Sequence, residues 1–235
     1  MVVSRTPPPD HARGTMALSR VLEPEVMDDE LEANDYDLMN HGEVNARFVS
    51  DLLTCGGEVT STLDVGTGTA QIPIELCSRR PEARVMGVDM AQHMLRIGAL
   101  RVERCGLAGV IALEARDAKA LGFPKASFSC VISNSLLHHL ADPAIAVAQM
   151  VDVLAPSGWL FLRDLVRPAN DAEVGELVLR HAAGENPRQR ALFDASLRAA
   201  LSLDEIAAAA RNAGIAEGAI SKTSDRHWTL AWKKR

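Results

Sequence analysis

The stretch "LDVGTGTAQIPIEL" places an acid, Asp64, two residues before Gly66 and four before Gly68. Glycines at such positions let a backbone come close to a ligand. The helix-like text that follows offers free N–H groups and a positive dipole end. A loop built for a dinucleotide would carry a third glycine to admit pyrophosphate against the helix, but Gln71 stands in that place. A second acid, Asp89, ends the next apolar run, "ARVMGVDM". An acid there accepts hydrogen bonds from the hydroxyls of a ribose. Together these residues point to a nucleoside-bearing ligand, with Gln71 counting against a dinucleotide; the bland alternative is a tight turn with a surface acid.

A second group could act on a substrate. "NSLLHHLADP" holds His138 and His139 directly after an apolar run. Histidine titrates near neutral pH, which suits a general base. The bland alternative is that one or both pack beneath the helix opening at Pro143. "FLRDLVRP" brings Arg163 and Asp164 to the end of another apolar run. Arg163 suits a bidentate grip on a carboxylate or phosphate, or a structural pair with a nearby acid. His41, Arg180, His181, Arg226 and His227 are weaker candidates. Cys55, Cys77, Cys105 and Cys130 form no Cys-x-x-Cys pair, so no structural zinc site is expected, and no other metal site either.

The elements that must position these residues follow from periodicity. Residues 22–53 read as helical with polar breaks, and "CGGE" as a turn. Five short apolar runs, "STLDVG", "ARVMGVDM", "VIALEARD", "SFSCVISNS" and "GWLFLRDLV", read as strands. Helix-like segments lie between most of them: "AQIPIELCSRR", "AQHMLRIGALRVERCG" closed by Gly106, and "PAIAVAQMVDVLA" with Pro143 at its start. This alternation predicts an α/β fold, a doubly wound Rossmann-like sheet with helices on both faces. Ligands of such sheets bind at the carboxyl ends of the strands. "DAEVGELVLRHAAG" and "PRQRALFDASLRAAL" break the rhythm as two helices with no strand between them. "SLDEIAAAARNAG" is a helix with Ser202 as N-cap, Glu205 at the third position and Gly214 beyond its end. "AISKTSDRHWTLAWKK" reads as a closing hairpin around Ser224 and Asp225.

Composition narrows the class. The 235 residues suit one domain, with 47% apolar and 24% charged residues. A net charge of −6 argues against a protein that grips a nucleic-acid backbone. The widely spaced cysteines point to a reducing, cytoplasmic setting. No apolar run approaches the ~20 residues of a membrane span. Residues 1–16, with three successive prolines and no apolar core, read as a disordered leader rather than a secretory signal, and Met16 is an alternative start. A single domain is then expected over 17–235, with an N-terminal helical cap at 17–58 and a helical insert at 169–200.

The motifs also carry a resemblance. "LDVGTGTAQIPIEL" resembles the first motif of class I S-adenosylmethionine-dependent methyltransferases, with Ala70 in place of its last glycine. "VMGVDM", "EARDAKALGF", "FSCVISNSLLHHLADP" and "VLAPSGWLFLRDL" are similar to the later motifs. The likeness covers residues 34–165 well and the closing hairpin more loosely. It is strongest to the small-molecule branch that includes ubiquinone and menaquinone biosynthesis methyltransferases. The resemblance implies a seven-stranded, mostly parallel sheet with one antiparallel strand from the C-terminal hairpin. It implies S-adenosylmethionine as donor and S-adenosylhomocysteine as product. Asp64 would meet the donor's amino group, and Gly66 and Gly68 would let its amino-acid part pass. Asp89 with Met90 would hold the ribose, Asp117 with Ala118 the adenine, and Asn134 would lie alongside. Tyr36 and Asn40, in "YDLMNHGEVN", would close over the donor. His138, His139 and Arg163 would serve the acceptor, under a lid made by the insert.

Other readings remain at this point. A nucleotide-dependent dehydrogenase would share the sheet, but Gln71 opposes it. A nucleic-acid methyltransferase would show a proline and an aromatic after the fourth strand, where this chain reads "SNSL". A non-catalytic S-adenosylmethionine-binding protein, or an enzyme with a modified donor, would keep the same motifs. The acceptor could be an O, S, N or C nucleophile on a small molecule. Apolar positions of the insert leave a homodimer open.

Overall fold

The structure, a computed structural model, describes residues 18–23 and 42–235. The leader, His41, Tyr36 and Asn40 lie outside the described residues, as does most of the segment expected to be helical before residue 42. Helix α1 spans Gly42–Thr54, within the segment expected to be helical over 22–53, while Leu22 and Glu23 have no helical structure.

The chain then alternates. Strand β1 (Ser61–Val65) leads to α2 (Gln71–Arg79), β2 (Arg84–Asp89) to α3 (Gln92–Arg104), and β3 (Ile111–Ala115) by a loop to β4 (Phe128–Asn134). A 3-10 turn, Leu137–His139, precedes α4 (Pro143–Val153) and β5 (Leu154–Leu165). Helices α5 (Asp171–His181), α6 (Pro187–Ala199) and α7 (Leu203–Asn212) follow, and β6 (Ile220–Lys222) and β7 (His227–Lys233) close the chain. The strands form one sheet in the order β3-β2-β1-β4-β5-β7-β6. The first five are parallel, and β7 runs antiparallel to both β5 and β6. This is the expected seven-stranded, Rossmann-like α/β architecture. Among the described residues, no helix is long and apolar enough to cross a membrane.

The sheet is buried on both faces, which is why its strands are apolar runs rather than alternating ones. On one face Phe48 and Leu52 of α1, Leu76 of α2 and Val102 of α3 pack on Ile132 and Phe161. Phe48 meets Phe161 edge to face, with ring centroids 5.0 Å apart. On the other face Val147 and Met150 of α4 and Ile206 of α7 pack with Trp228 and Leu160. The strand order reverses between β1 and β4, and that crevice is where an open α/β sheet binds its ligand.

Local signals explain the element ends. Ser202 and Glu205 form a reciprocal capping box on α7, and Gly214 takes a positive φ of 75° after it. Helix α6 has a second box, Asn186 with Gln189. One boundary differs from the sequence reading. β5 begins at Leu154, directly from α4, and its register against β4 shifts between Phe128 and Cys130. Pro156 and Ser157 (φ 62°) make the irregularity that this shift absorbs. The insert stands over the carboxyl ends of the strands. Val174, Leu177 and Leu197 pack there on Leu165 and, from the N-terminal segment, Leu18.

Candidate active site

The glycine loop turns sharply at the end of β1. Gly66 has φ 76°, and a Cβ on it would lie 3.0 Å from the side chain of Leu136. The loop amides are spent internally. The N–H groups of Gly66 and Thr67 both donate to the Val88 carbonyl, at 2.8 and 3.0 Å. The Gly68 N–H donates to Asp89 Oδ2 at 2.8 Å. A phosphate cradle needs those amides free, so the loop is not one. Ala70, in place of a glycine, holds the left-handed conformation at φ 59° at the head of α2, a geometry that costs a side chain ~1–2 kcal/mol. Gln71 accepts from Asn45 Nδ2 at 3.1 Å and donates to Thr69 Oγ1 at 3.2 Å. It ties α1 to the loop where a third glycine would have admitted a pyrophosphate.

Asp89 is held as an acceptor. Its Oδ1 takes the Ala91 N–H at 2.9 Å and its Oδ2 the Gly68 N–H, leaving a further lone pair on each oxygen for a ligand. Burial pushes its pKa up against those hydrogen bonds. Asp64 is 2% exposed. Burial, with Asp89 nearby and against the pull of Thr67, pushes its carboxyl up to about 7. No cation faces Asp64 among the described residues. It opens with Gly66, Gly68 and Asn134 onto a small recess behind the loop.

The structure brings the sequence candidates together. Gly66, Gly68, Asp89, Met90, Asp117, Ala118 and Asn134 all line one cavity at the β1/β4 crevice. A second cavity, of roughly 200 Å³, lies beyond it. Its walls come from α1 (Asn45), the insert (His181, Phe193, Ser196), the closing hairpin (Arg226, His227) and the histidine pair. Asn134, Ser135 and His139 line both cavities and form their boundary.

The two histidines differ. His138 is 3% exposed. Its Nδ1 lies 2.5 Å from Asp164 Oδ1, and its backbone N–H donates to Asp164 Oδ2 at 3.1 Å. Burial alone would lower its pKa, but the Asp164 carboxylate outweighs that and raises it. His139 is pushed down, by burial first and then by its neighbour His138. Its Nδ1 is buried and has no hydrogen-bond partner.

Arg163 is placed otherwise than expected for a substrate anchor. Its Nη2 donates to Asp51 at 2.7 Å and its Nε to Thr229 Oγ1 at 2.9 Å, with the head 5.5 Å from the Phe161 ring. Successive strand residues point to opposite faces, so Asp164 meets the histidine turn while its neighbour Arg163 packs against α1. His227 lines the second cavity, pushed down to about 4 by burial and by Arg226. Arg180 and His181 share the Asp225 carboxylate.

Sequence reasoning passed over Glu23, Arg20 and the role of Asp164. Arg20 reaches from the N-terminal segment to the carbonyls of His138 (3.0 Å), Leu140 (2.9 Å) and Ala199 (2.7 Å). That strap sets Glu23 Oε2 3.1 Å from His139 Nδ1 and 3.9 Å from His138 Nε2. The strand alternation around Asp164 was a usable signal. For Glu23 and Arg20 there was none.

Residues 63–162 match the family model described as a methyltransferase domain, and the fold is that of solved S-adenosylmethionine-dependent methyltransferases. Among similar proteins, the demethylmenaquinone methyltransferase of Thermus thermophilus is 38% identical over 110 residues, 47% of this chain and 49% of that relative. The ubiquinone/menaquinone biosynthesis C-methyltransferase UbiE of Pasteurella multocida is 32% identical over 149 residues, 59% of this chain and 54% of that one. The matches thus span about half the length of these curated relatives. The fold is shared with a SAM-dependent methyltransferase from Aquifex aeolicus (TM-score 0.68, 16% identity, 88% of this chain and 99% of that chain). It is shared also with phosphoethanolamine N-methyltransferase 2 of Haemonchus contortus in complex with S-adenosyl-L-methionine (TM-score 0.66, 15% identity, 88% and 57%).

Proposed function

We propose that this chain transfers a methyl group from S-adenosylmethionine to a small-molecule acceptor and releases S-adenosylhomocysteine. The observation that carries the reading is the boundary at Asn134, Ser135 and His139, where the two cavities meet. The donor fits the residues present. Asp64 is a buried acid with no cation among the described residues, at a recess opened by glycine, and suits the ammonium of an amino-acid tail. The remaining lone pairs of Asp89 suit ribose hydroxyls, and Asp117 with Ala118 suit the adenine. The bound donor supplies an electrophilic methyl on sulfonium.

The chain's own work is positioning and drying. In-line displacement needs the acceptor's nucleophile about 3–3.5 Å from the methyl carbon, with water excluded. Phe193 and Leu165 give the second cavity apolar walls. His138 and His139 are the groups we assign to the acceptor, with His138 oriented by Asp164 and His139 at the boundary. Arg163 we assign to holding α1 on the sheet. The four free cysteines fit a reducing, cytoplasmic setting.

Isothermal titration with S-adenosylmethionine and with NAD, followed by an S-adenosylhomocysteine release assay over thiols, phenols, quinols and amines, tests the reading. Donor binding and release of product with one acceptor class is expected. Tight binding of NAD alone would remove it.

A further inference from the structure

The geometry points to a seat for a divalent first-row transition-metal ion, of zinc type, formed by Glu23, His138 and His139 on the wall of the acceptor cavity. The inference deepens the methyl-transfer reading and rests on it for the ion's task, though not for the site itself. Each of Glu23, His138 and His139 offers a ligand atom within 4.8 Å of the others, with Glu23 Oε2 3.9 Å from His138 Nε2 and 3.1 Å from His139 Nδ1. Two imidazoles and one carboxylate are a donor set suited to such ions.

Three observations separate this cluster from a chance ion pair. First, Glu23 Oε2 and His139 Nδ1 are 3.1 Å apart, yet Nδ1 has no hydrogen bond. The contact is off the line of a good hydrogen bond, so the carboxylate pairs with the ring by charge more than by alignment. A buried ring nitrogen without a partner is costly, and a metal ion satisfies it. Second, the Nδ1 of His138 is occupied by Asp164 at 2.5 Å. That fixes the tautomer and leaves Nε2 as the donor atom on the side of Glu23. A carboxylate behind a ligating histidine is the usual outer support of a metal site. Third, Glu23 is delivered deliberately. Besides the Arg20 strap, the Leu18 and Val21 amides donate to Ala169 and Arg198, both at 3.1 Å. Ser196 Oγ donates to the Glu23 carboxylate, at 3.2 Å to Oε1 and 3.4 Å to Oε2, and holds it facing the two rings.

Three protein ligands leave an open position, as in catalytic rather than structural zinc sites. His138, His139 and Glu23 all line the acceptor cavity, and His139 stands at its boundary with the donor cavity. An acceptor hydroxyl or thiol takes the open position as its anion. The O–H or S–H bond breaks, the proton leaves to solvent, and a metal–oxygen or metal–sulfur bond forms. The anion then attacks. Its new bond to the methyl carbon forms as the carbon–sulfonium bond breaks, and that electron pair leaves on the thioether of S-adenosylhomocysteine. The class of acceptor is therefore an ionisable hydroxyl or thiol compound able to coordinate a metal.

The test uses the untagged full chain, stripped with chelator and titrated with Co²⁺ by visible absorption and with Zn²⁺ by calorimetry. One equivalent of Co²⁺ with a ligand-field spectrum of low coordination number is expected. Glu23→Gln and His139→Ala remove ligands and are expected to lose that spectrum, and Asp164→Asn to weaken binding about 10–100-fold. Circular dichroism of each variant checks folding, and Glu23→Gln, on the N-terminal strap and outside the hydrophobic clusters, is the variant that keeps the core intact. No cobalt spectrum in the wild-type chain, or an equal one in Glu23→Gln, overturns the site. S-adenosylmethionine titrated into the same samples separates the two claims. A chain that binds the donor and no metal loses only the metal site; one that binds metal and no donor loses only the methyl-transfer reading.

Discussion

Nδ1 of His138 and Oδ1 of Asp164 stand 2.5 Å apart, with both side chains at least 97% buried. The two residues are 26 positions apart in sequence, on a 3-10 turn and on β5. The pair has a clear dependence on pH. The pKa of His138 is raised, so its share of stability is present below the unfolded value of ~6.5 and is lost as pH rises through the folded value. The pKa of Asp164 is lowered, so its share is present above ~3.9 and is lost as pH falls through the folded value. Both shares are present together between those limits. Asp164→Ala leaves an uncompensated buried imidazole and is expected to cost about 3–5 kcal/mol there. Urea unfolding at several pH values checks this, and a variant as stable as the wild type at pH 5–6 would contradict it.

Asp64 makes a second prediction. With its carboxyl pushed up to about 7, it is partly protonated at neutral pH in the ligand-free chain. This folded value lies above the unfolded one, so the group weakens the ligand-free fold as pH rises from ~4 towards 7. A cationic ligand drives the carboxyl to its charged form. Donor binding at pH 7 is therefore expected to release about half a proton, read by calorimetry in two buffers of different ionisation enthalpy. Asp64→Asn is expected to abolish the release, weaken donor binding and raise the melting temperature of the ligand-free chain at pH 8. Equal heats in both buffers for the wild type would count against the assignment.

Gly66 carries the third. A side chain there is strained at φ 76° and presses on Leu136 at 3.0 Å. Gly66→Ala is expected to cost ~1–3 kcal/mol and to reduce donor affinity, because both Gly66 and Leu136 line the cavity we assign to the donor. Gly175→Ala is the control. It sits in α5 with nothing within 4 Å of the added Cβ, and is expected to gain ~0.5–1 kcal/mol.

The fourth concerns Arg163. Bound to Asp51 and Thr229, it is expected to act on stability alone. Arg163→Met should lower stability by ~1–3 kcal/mol with the KM for the acceptor unchanged. A KM raised ten-fold or more at unchanged stability would return Arg163 to the acceptor site.

The residues of the cavity we assign to the donor were legible because they are bound to local grammar. A strand must end, a glycine must turn, and an acid must follow the next strand. Those constraints act over a few residues, so Gly66, Gly68, Asp89 and Asp117 could be read directly. The cavity we assign to the acceptor was legible only in part. His138 and His139 declared themselves by position, yet their partners did not. Glu23 lies more than a hundred residues away, delivered by Arg20, whose contact with His138 spans 118 positions.

By itself the sequence determined the alternation of elements, the sheet they build and the cavity at its crevice, since periodicity and turn chemistry are local properties of the chain. Only the tertiary structure decided what neighbouring polar residues face. Arg163 and Asp164 are adjacent, and β5 sends one to α1 and the other to His138. That assignment depends on which face of the sheet receives which helix, a matter of packing between distant segments that no spacing records.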